Sequence, residues 1–412
     1  MRRNQRGGLD VIVVGGGPAG AVTALLLARH GRRVGVIERE TFPRAKPCGD
    51  CLSAAATTLL RDLGLLDAVL AAGAAHLDEW RVHAPAGHVA RGRFPDDVAL
   101  ALERRLFDAV LLDAAEQAGA VTLRGRVTDL VRGTERRAGV RGVRLIDGAG
   151  RETELRAPLV VGADGLRSVV ARRARLVRRP PRLRKVSLTT HGTGAAGGFR
   201  HGEMHLLADA CFGVAPAGGG RFNLTLVVTA RRAPALRVLG AEAFLESWLL
   251  RAPAVRSRID GAALDRPYLA SGPFDWRTRS TVAPGVALVG DAAGYYDPFT
   301  GQGVYQAMEG ARRLAGALRG VDLDDPRALR RSLRRHAAAL RALKAPALRL
   351  QRVVELALAH PDRADRVIRR LAAAPAVMDR LVEVTGDLRP ASSLLSPRLL
   401  SSFLFPPSPE VR

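Results

Sequence analysis

Leu9 to Gly20 reads LDVIVVGGGPAG: four apolar residues, then Gly15-x-Gly17-x-x-Gly20. The segment AVTALLLARHG follows with helical spacing and a closing Gly31, and then RRVGVIERE ends an apolar run at Glu38 and Arg39. Strand, glycine turn, helix, strand and acid in that order specify a nucleotide-binding unit. Gly15 permits the turn, Gly17 lets backbone approach a pyrophosphate, and Gly20 lets the helix pack close to the strand. Pro18 and Ala19 open the helix, whose free N–H groups and positive dipole end favour an anion. Glu38 stands where a carboxylate would bond a ribose 2′-OH, which favours NAD or FAD over a 2′-phosphorylated nucleotide. Val11 to Ala28 carries no charge, but its three consecutive glycines and proline would break a membrane-spanning helix.

Two later segments belong with this opening. PLVVGADGLRSVVAR places Asp164 and Gly165 after an apolar run, and GVALVGDAAGYYDPFTGQGVYQ places Gly290 and Asp291 after another, with Pro298, Gly301 and Gly303 before a helical stretch. A carboxylate at a strand's C-terminal end suits ribose or ribityl hydroxyls, and a glycine-rich helix start offers N–H groups to a ring.

In this order the three segments resemble the FAD-dependent enzymes of the p-hydroxybenzoate hydroxylase type, which include geranylgeranyl reductases and flavin-dependent halogenases. The resemblance runs from about Asp10 to Leu318. It implies an α/β chain with a Rossmann-type FAD-binding domain interrupted by a β-rich substrate domain, and a helical C-terminal region. The expected division is FAD-binding parts at 1–74, 102–185 and 282–318, substrate parts at 75–101 and 186–281, and helices over 319–412. It also implies FAD as the resident cofactor and NAD(P)H as a transient electron donor. LERRLFDAVLLDAAEQAGA resembles the family's Arg-x-x-Phe-Asp helix, in which the arginine, here Arg104, contacts the cofactor.

RAKPCGDCLS, Arg44 to Ser53, poses a separate question. Its Cys-x-x-Cys could be a redox pair at a helix start, since a helical pattern follows. A metal site would need more ligands than Cys211 alone supplies, so no metal is expected. The family resemblance offers a third reading: a loop over the flavin ring, with Cys48, Gly49 and Asp50 beside substrate or cofactor and Cys51 in packing. In ACFGVAPAGGG the positions where reductases and halogenases of the family carry aromatics before a proline hold Cys211, Gly213 and Ala215, ahead of Pro216, which implies a roomier pocket. The halogenases' Trp-x-Trp signature is absent.

The 412 residues carry a net charge of +24, nearly all of it arginine, with only Lys46, Lys185 and Lys344 as lysines. No reader motif or aromatic interleaving accompanies the charge, so nucleic acid is not an expected partner. Three cysteines cannot build a disulfide framework, and the N-terminus does not read as an export signal, so a cytoplasmic protein is expected. From Val304 the chain has helical spacing with prolines at 346, 361 and 375; helices packed on the FAD domain are expected, with membrane lipid as the alternative contact for their basic faces, while the basic cluster Ala171 to Lys185 is expected to be a solvated linker, with NAD(P)H phosphate or a carrier protein as its alternative contact. The function these features imply is an FAD oxidoreductase, a monooxygenase or an alkene reductase, acting on an apolar polycyclic or prenylated substrate. A halogenase or a non-catalytic basic binding protein are the alternatives.

Overall fold

The structure is a computed structural model, and it describes residues 8–95, 99–134, 139–179, 185–195 and 200–404. Its first sheet runs, edge to edge, through Glu152–Arg156, Val140–Asp147, Val121–Arg132, Val34–Glu38, Val11–Val14, Leu159–Gly162, Val286–Leu288 and Val282–Ala283. The five strands from Val121–Arg132 to Val286–Leu288 pair in parallel. Parallel strands are covered on both faces, and Val11–Val14 is accordingly buried at all four residues.

The helix Pro18–Arg29 packs close against the first strand because of two glycines. Gly15 has φ +99°, and a Cβ there would stand 2.6 Å from the Ala163 carbonyl oxygen; at Gly20 it would stand 1.8 Å from the Gly15 oxygen. Only glycine fits either place.

A second sheet runs Ala263–Leu264, Lys185–Thr193, Arg221–Thr229, Ala210–Gly218, His201–Leu207, Glu79–His83 and Val89–Arg93, with Leu269–Ser271 paired beside Lys185–Thr193. The 186–281 stretch is less uniformly extended than its alternation predicts. Ala233–Leu239, Ala241–Leu249 and Pro253–Arg258 are helices, and Phe244, Leu245 and Trp248 bury the sheet's back face with Phe212, Leu224 and Leu226.

The C-terminal helices also differ from expectation. Pro346 lies inside the helix Pro326–Ala357, whereas Pro361 and Pro375 each begin one. Leu329 and Leu333 join the core of the first sheet, but Ile368, Leu371, Met378 and Val382 pack on Val82, Ala90, Met204 and Leu206 of the second. Gly92 makes the approach possible, since a Cβ there would sit 2.5 Å from Val382 Cγ2. Among the described residues, the helices after 357 therefore roof the second sheet, whereas the 326–357 helix reaches the first. Among the described residues, no helix is long and apolar enough to cross a membrane.

Candidate active site

A cavity of about 1540 Å³ opens where the parallel strands end and continues between the second sheet and the C-terminal helices. Ligands of open parallel sheets bind at this end, where helix N-termini and strand-terminal side chains converge.

At the first-sheet end, Glu38 is buried and accepts hydrogen bonds from the Gly16 N–H (2.7 Å) and the Glu40 N–H (3.0 Å). Asp108, fully buried, joins two arginines. Arg104 donates to it through Nε (2.6 Å) and Nη2 (2.8 Å), and Arg44 Nη2 lies 3.1 Å away. Two guanidinium groups against one carboxylate leave a positive balance at the mouth of the glycine turn. Burial, then Arg104 and Arg44, push the Lys46 ammonium below its ordinary range. Asp291 starts the turn Gly290–Ala293; burial pushes its carboxyl upward, opposed by Lys344, Lys46 and Arg104. Lys344, from the 326–357 helix, donates to the Gly290 carbonyl at 2.9 Å and also to the Gly294 carbonyl.

The Cys48 loop bridges the two halves. Asp50, fully buried with φ +59°, accepts from the Arg104 N–H (3.1 Å), from Asn223 Nδ2 (2.7 Å) and from His191 Nε2 (2.5 Å). Burial is the largest single influence and disfavours a charged His191, but the hydrogen bond to Asp50 together with the Asp50 and Glu103 charges raises its pKa. Asn223 Nδ2 also donates to the Cys48 carbonyl at 2.7 Å, fixing the loop to the second sheet. The chain of bonds continues along one sheet face, Thr225 Oγ1 to Asn223 Oδ1 (2.8 Å) and Thr189 Oγ1 to Thr225 Oγ1 (2.9 Å), because His191 pairs with Asn223 and Thr189 with Thr225 across the two strands.

Burial raises the Cys48 thiol, with Arg104 opposing, and raises the Cys51 thiol as well. Both are thiols at neutral pH. Cys51 lies in the two-residue strand Cys51–Leu52, and Ser53 caps the following helix. The helix-start geometry that would activate a redox pair is therefore missing, and Cys51 instead donates to the Gly49 carbonyl at 3.2 Å.

Of the residues singled out in sequence, Gly15, Gly17, Pro18, Ala19, Glu38, Arg39, Cys48, Gly49, Asp50, Arg104, Asp164, Gly165, Cys211, Gly213, Ala215, Gly290, Asp291, Pro298, Gly301 and Gly303 all line the cavity. Gly20 serves helix packing behind it. Pro216 is a correction: side chains alternate along Ala210–Gly218, and it is buried without lining the cavity. Asp164 faces the cavity but also caps the helix Val169–Arg173, taking Ser168 Oγ at 2.6 Å and the Val169 N–H at 2.6 Å. Sequence reading missed Arg44, Asp108, His191, Asn223 and all three lysines. The lysines carried a signal: in an arginine-rich chain Lys46 and Lys185 line the cavity and Lys344 braces its Asp291 turn.

These residues fit FAD. The N-terminus of Pro18–Arg29 has no side-chain cap, a Cβ on Gly17 would project to within 3.4 Å of Arg44 Nη2, and Arg44 Nη1 is buried without a hydrogen-bond partner. A pyrophosphate at that place would satisfy the open N–H groups and the orphaned guanidinium nitrogen.

Residues 8–183 match the FAD binding domain family. Digeranylgeranylglycerophospholipid reductase 2 of Methanopyrus kandleri is 31% identical over 339 residues, 77% of this chain and 78% of that protein. Conditioned medium factor receptor 1 of Dictyostelium discoideum is 26% identical over 327 residues, 75% of this chain, and the chain spans 63% of that relative's length. Among solved structures, a flavoprotein/dehydrogenase from Cytophaga hutchinsonii superposes with a TM-score of 0.77 at 18% identity, covering 95% of this chain and 96% of that one. The flavin-dependent brominase Bmp2 does so with 0.71 at 22% identity, covering 93% and 100%. The last two likenesses speak for the fold alone. With the glycine cradle, the Arg44–Asp108–Arg104 cluster and the Asp291 turn around one cavity, the chain belongs to the FAD-dependent oxidoreductases of the geranylgeranyl reductase and p-hydroxybenzoate hydroxylase type.

Proposed function

We propose that the chain takes electrons from NAD(P)H through FAD and delivers them to an apolar, prenylated or polycyclic substrate, with reduction of a carbon–carbon double bond as the leading reaction. The observation that carries this is the apolar arm of the cavity, where Trp80, Phe94, Met204, Leu358, Met378 and Val382 continue from the Cys48 loop. Such a chamber favours a long hydrocarbon by burial alone, at about 0.8 kcal/mol per CH₂. FAD would supply two-electron redox chemistry. The chain's residues would position the alkene, exclude water and hold a proton. Cys48 is suited to the last task, because burial keeps its thiol protonated while Arg104 lies in contact with it. His191 and Asp50 hold a second proton one hydrogen bond behind the loop.

Monooxygenation is the second reading, favoured by the small side chains of Gly213 and Ala215, which leave room for a wider ring system. Anaerobic incubation of flavin-loaded protein with NADH or NADPH and a geranylgeranylated lipid separates the two. Saturated product without oxygen supports the reductase; oxygen uptake tied to a hydroxylated product supports the second reading; flavin never reduced by either nucleotide would refute NAD(P)H as donor. Cys48→Ser should retain FAD and lower turnover, whereas Cys51→Ser should chiefly lower stability. Equal loss of turnover in both, with a Cys48–Cys51 disulfide in the oxidised protein, would restore the dithiol alternative.

A further inference from the structure

Period-two alternation puts His201, Glu203 and His205 on one face of the strand His201–Leu207, and parallel register sets His83 beside His205. This is the face turned away from the cavity. Met204 and Leu206 line the cavity, whereas His205 pairs with Phe212, which is fully buried in the core beneath the sheet.

Glu203 and His205 are each 6% exposed. Glu203 Oε2 lies 2.9 Å from His205 Nε2, and Oε1 lies 2.7 Å from His201 Nε2. The His83 ring stacks on His205 at 4.0 Å with 13° between planes. One ligand atom from each of His83, Glu203 and His205 falls within 4.8 Å of the others.

Such a group is either a closed polar network or a set of ligands. His83 Nε2 is buried with no hydrogen-bond partner, so the network is not closed. Burial together with His205 pushes His83 down to about 4. Its lone pair is therefore available at neutral pH. Arg258 Nε approaches Glu203 through the other carboxylate oxygen, Oε1, at 3.6 Å, and Arg81 pairs with Glu79.

We propose that His83, Glu203 and His205 form a site for a first-row divalent cation, with Zn²⁺ the best match to two imidazoles and one carboxylate. Two ligand atoms 2.9 Å apart subtend roughly a right angle at an ion about 2.1 Å from each. A tilt of one ring out of the stack directs the second imidazole at the ion. Binding breaks the hydrogen bond between His205 Nε2 and Glu203 Oε2, and both atoms turn to the ion. The ion would staple the strands Glu79–His83 and His201–Leu207, which are distant in the chain, directly behind Met204 and Leu206 of the chamber wall.

The test uses flavin-loaded, EDTA-treated protein titrated with Zn²⁺ by calorimetry, followed by thermal melting. One equivalent bound and a raised Tm are expected. His83→Gln and His205→Gln should each weaken binding by about tenfold or more, while Arg258→Met, which removes a cation beside Glu203, should tighten it. Wild-type protein that takes up no equivalent and gains no Tm overturns the proposal. So does binding unchanged in both histidine variants, or binding lost in a Cys48→Ser/Cys51→Ser variant, which would place the ion at the cysteine loop.

Discussion

The two ends of the cavity treat glycine differently. At the cofactor end, a Cβ on Gly20 would meet backbone at 1.8 Å and one on Gly15 would meet it at 2.6 Å. At the substrate end, a Cβ on Gly213 would meet nothing nearer than the Thr225 carbonyl at 3.9 Å. The first pair of glycines is demanded by how a helix packs on a strand. Gly213 is demanded by nothing in the fold, so its smallness shapes the chamber. Charge is unevenly divided too, with Arg44, Arg104, Asp108, Lys46 and Asp291 gathered at one end, whereas the other carries the Lys185–Asp297 pair beside its hydrocarbon lining.

The sharpest way to break this contrast is Gly17→Val. Its Cβ would meet only side chains, Arg44 at 3.4 Å and Asp108 at 4.0 Å, so the protein should fold yet lose FAD. A drop of about 100-fold or more in FAD affinity, roughly 2.7 kcal/mol, is expected by flavin fluorescence, with an unchanged circular dichroism spectrum. Retained affinity would remove Gly17 from the pyrophosphate site.

Asp291→Ala comes next. Removing a carboxylate from the cavity wall should weaken FAD binding or slow flavin reduction, at a cost of about 1.5–3 kcal/mol for a lost charge-assisted hydrogen bond. Stopped-flow reduction by NAD(P)H measures it, and wild-type rates would show the Asp291 turn to be structural.

Gly213→Phe probes the other end. With open space ahead of its Cβ, the variant should keep FAD and its melting temperature while KM for a long apolar substrate rises several-fold, as a few lost methylene contacts at about 0.8 kcal/mol each require. A fallen flavin content would mean that the two ends are not separable.

The smallest effect concerns the seam between them. Asp387, at the end of the helices roofing the chamber, accepts from Gln302 Nε2 at 2.7 Å in the cofactor-side loop, and burial raises its carboxyl to about 7 against that bond. Its folded pKa lies above the unfolded value of about 3.9, so the folded state binds more protons between the two. Stability from this group is therefore full below about pH 4 and declines as pH rises toward 7. Asp387→Asn should flatten that decline in Tm across the same window. An unchanged slope would show that the carboxyl is already ionised.

Most of the cofactor end was legible because its signals are local. The turn from Val14 to Pro18, the acid at Glu38 and the Gly290-Asp291 pair each depend on neighbours within a few residues, and backbone sterics permit few residue types there. Arg44 and Asp108 were not legible, although Asp108 sits in the quoted Arg-x-x-Phe-Asp helix, because their pairing joins a loop to a helix across more than sixty residues.

By itself, the sequence determined that a nucleotide-binding sheet begins at Val11, and that the places ahead of Pro216 hold Cys211, Gly213 and Ala215 where the family resemblance implies aromatics. Tertiary structure alone decided that Cys51 lies on a strand and not at a helix start, that Asp50 collects His191 and Asn223 from two strands, and that the last helices roof the second sheet. It also decided that His83 stands against His205. The physical reason is common to all four. Periodicity states which residues share a face, but which face meets which depends on strand register and on burial between segments far apart in the chain, and those are settled only when the whole core packs.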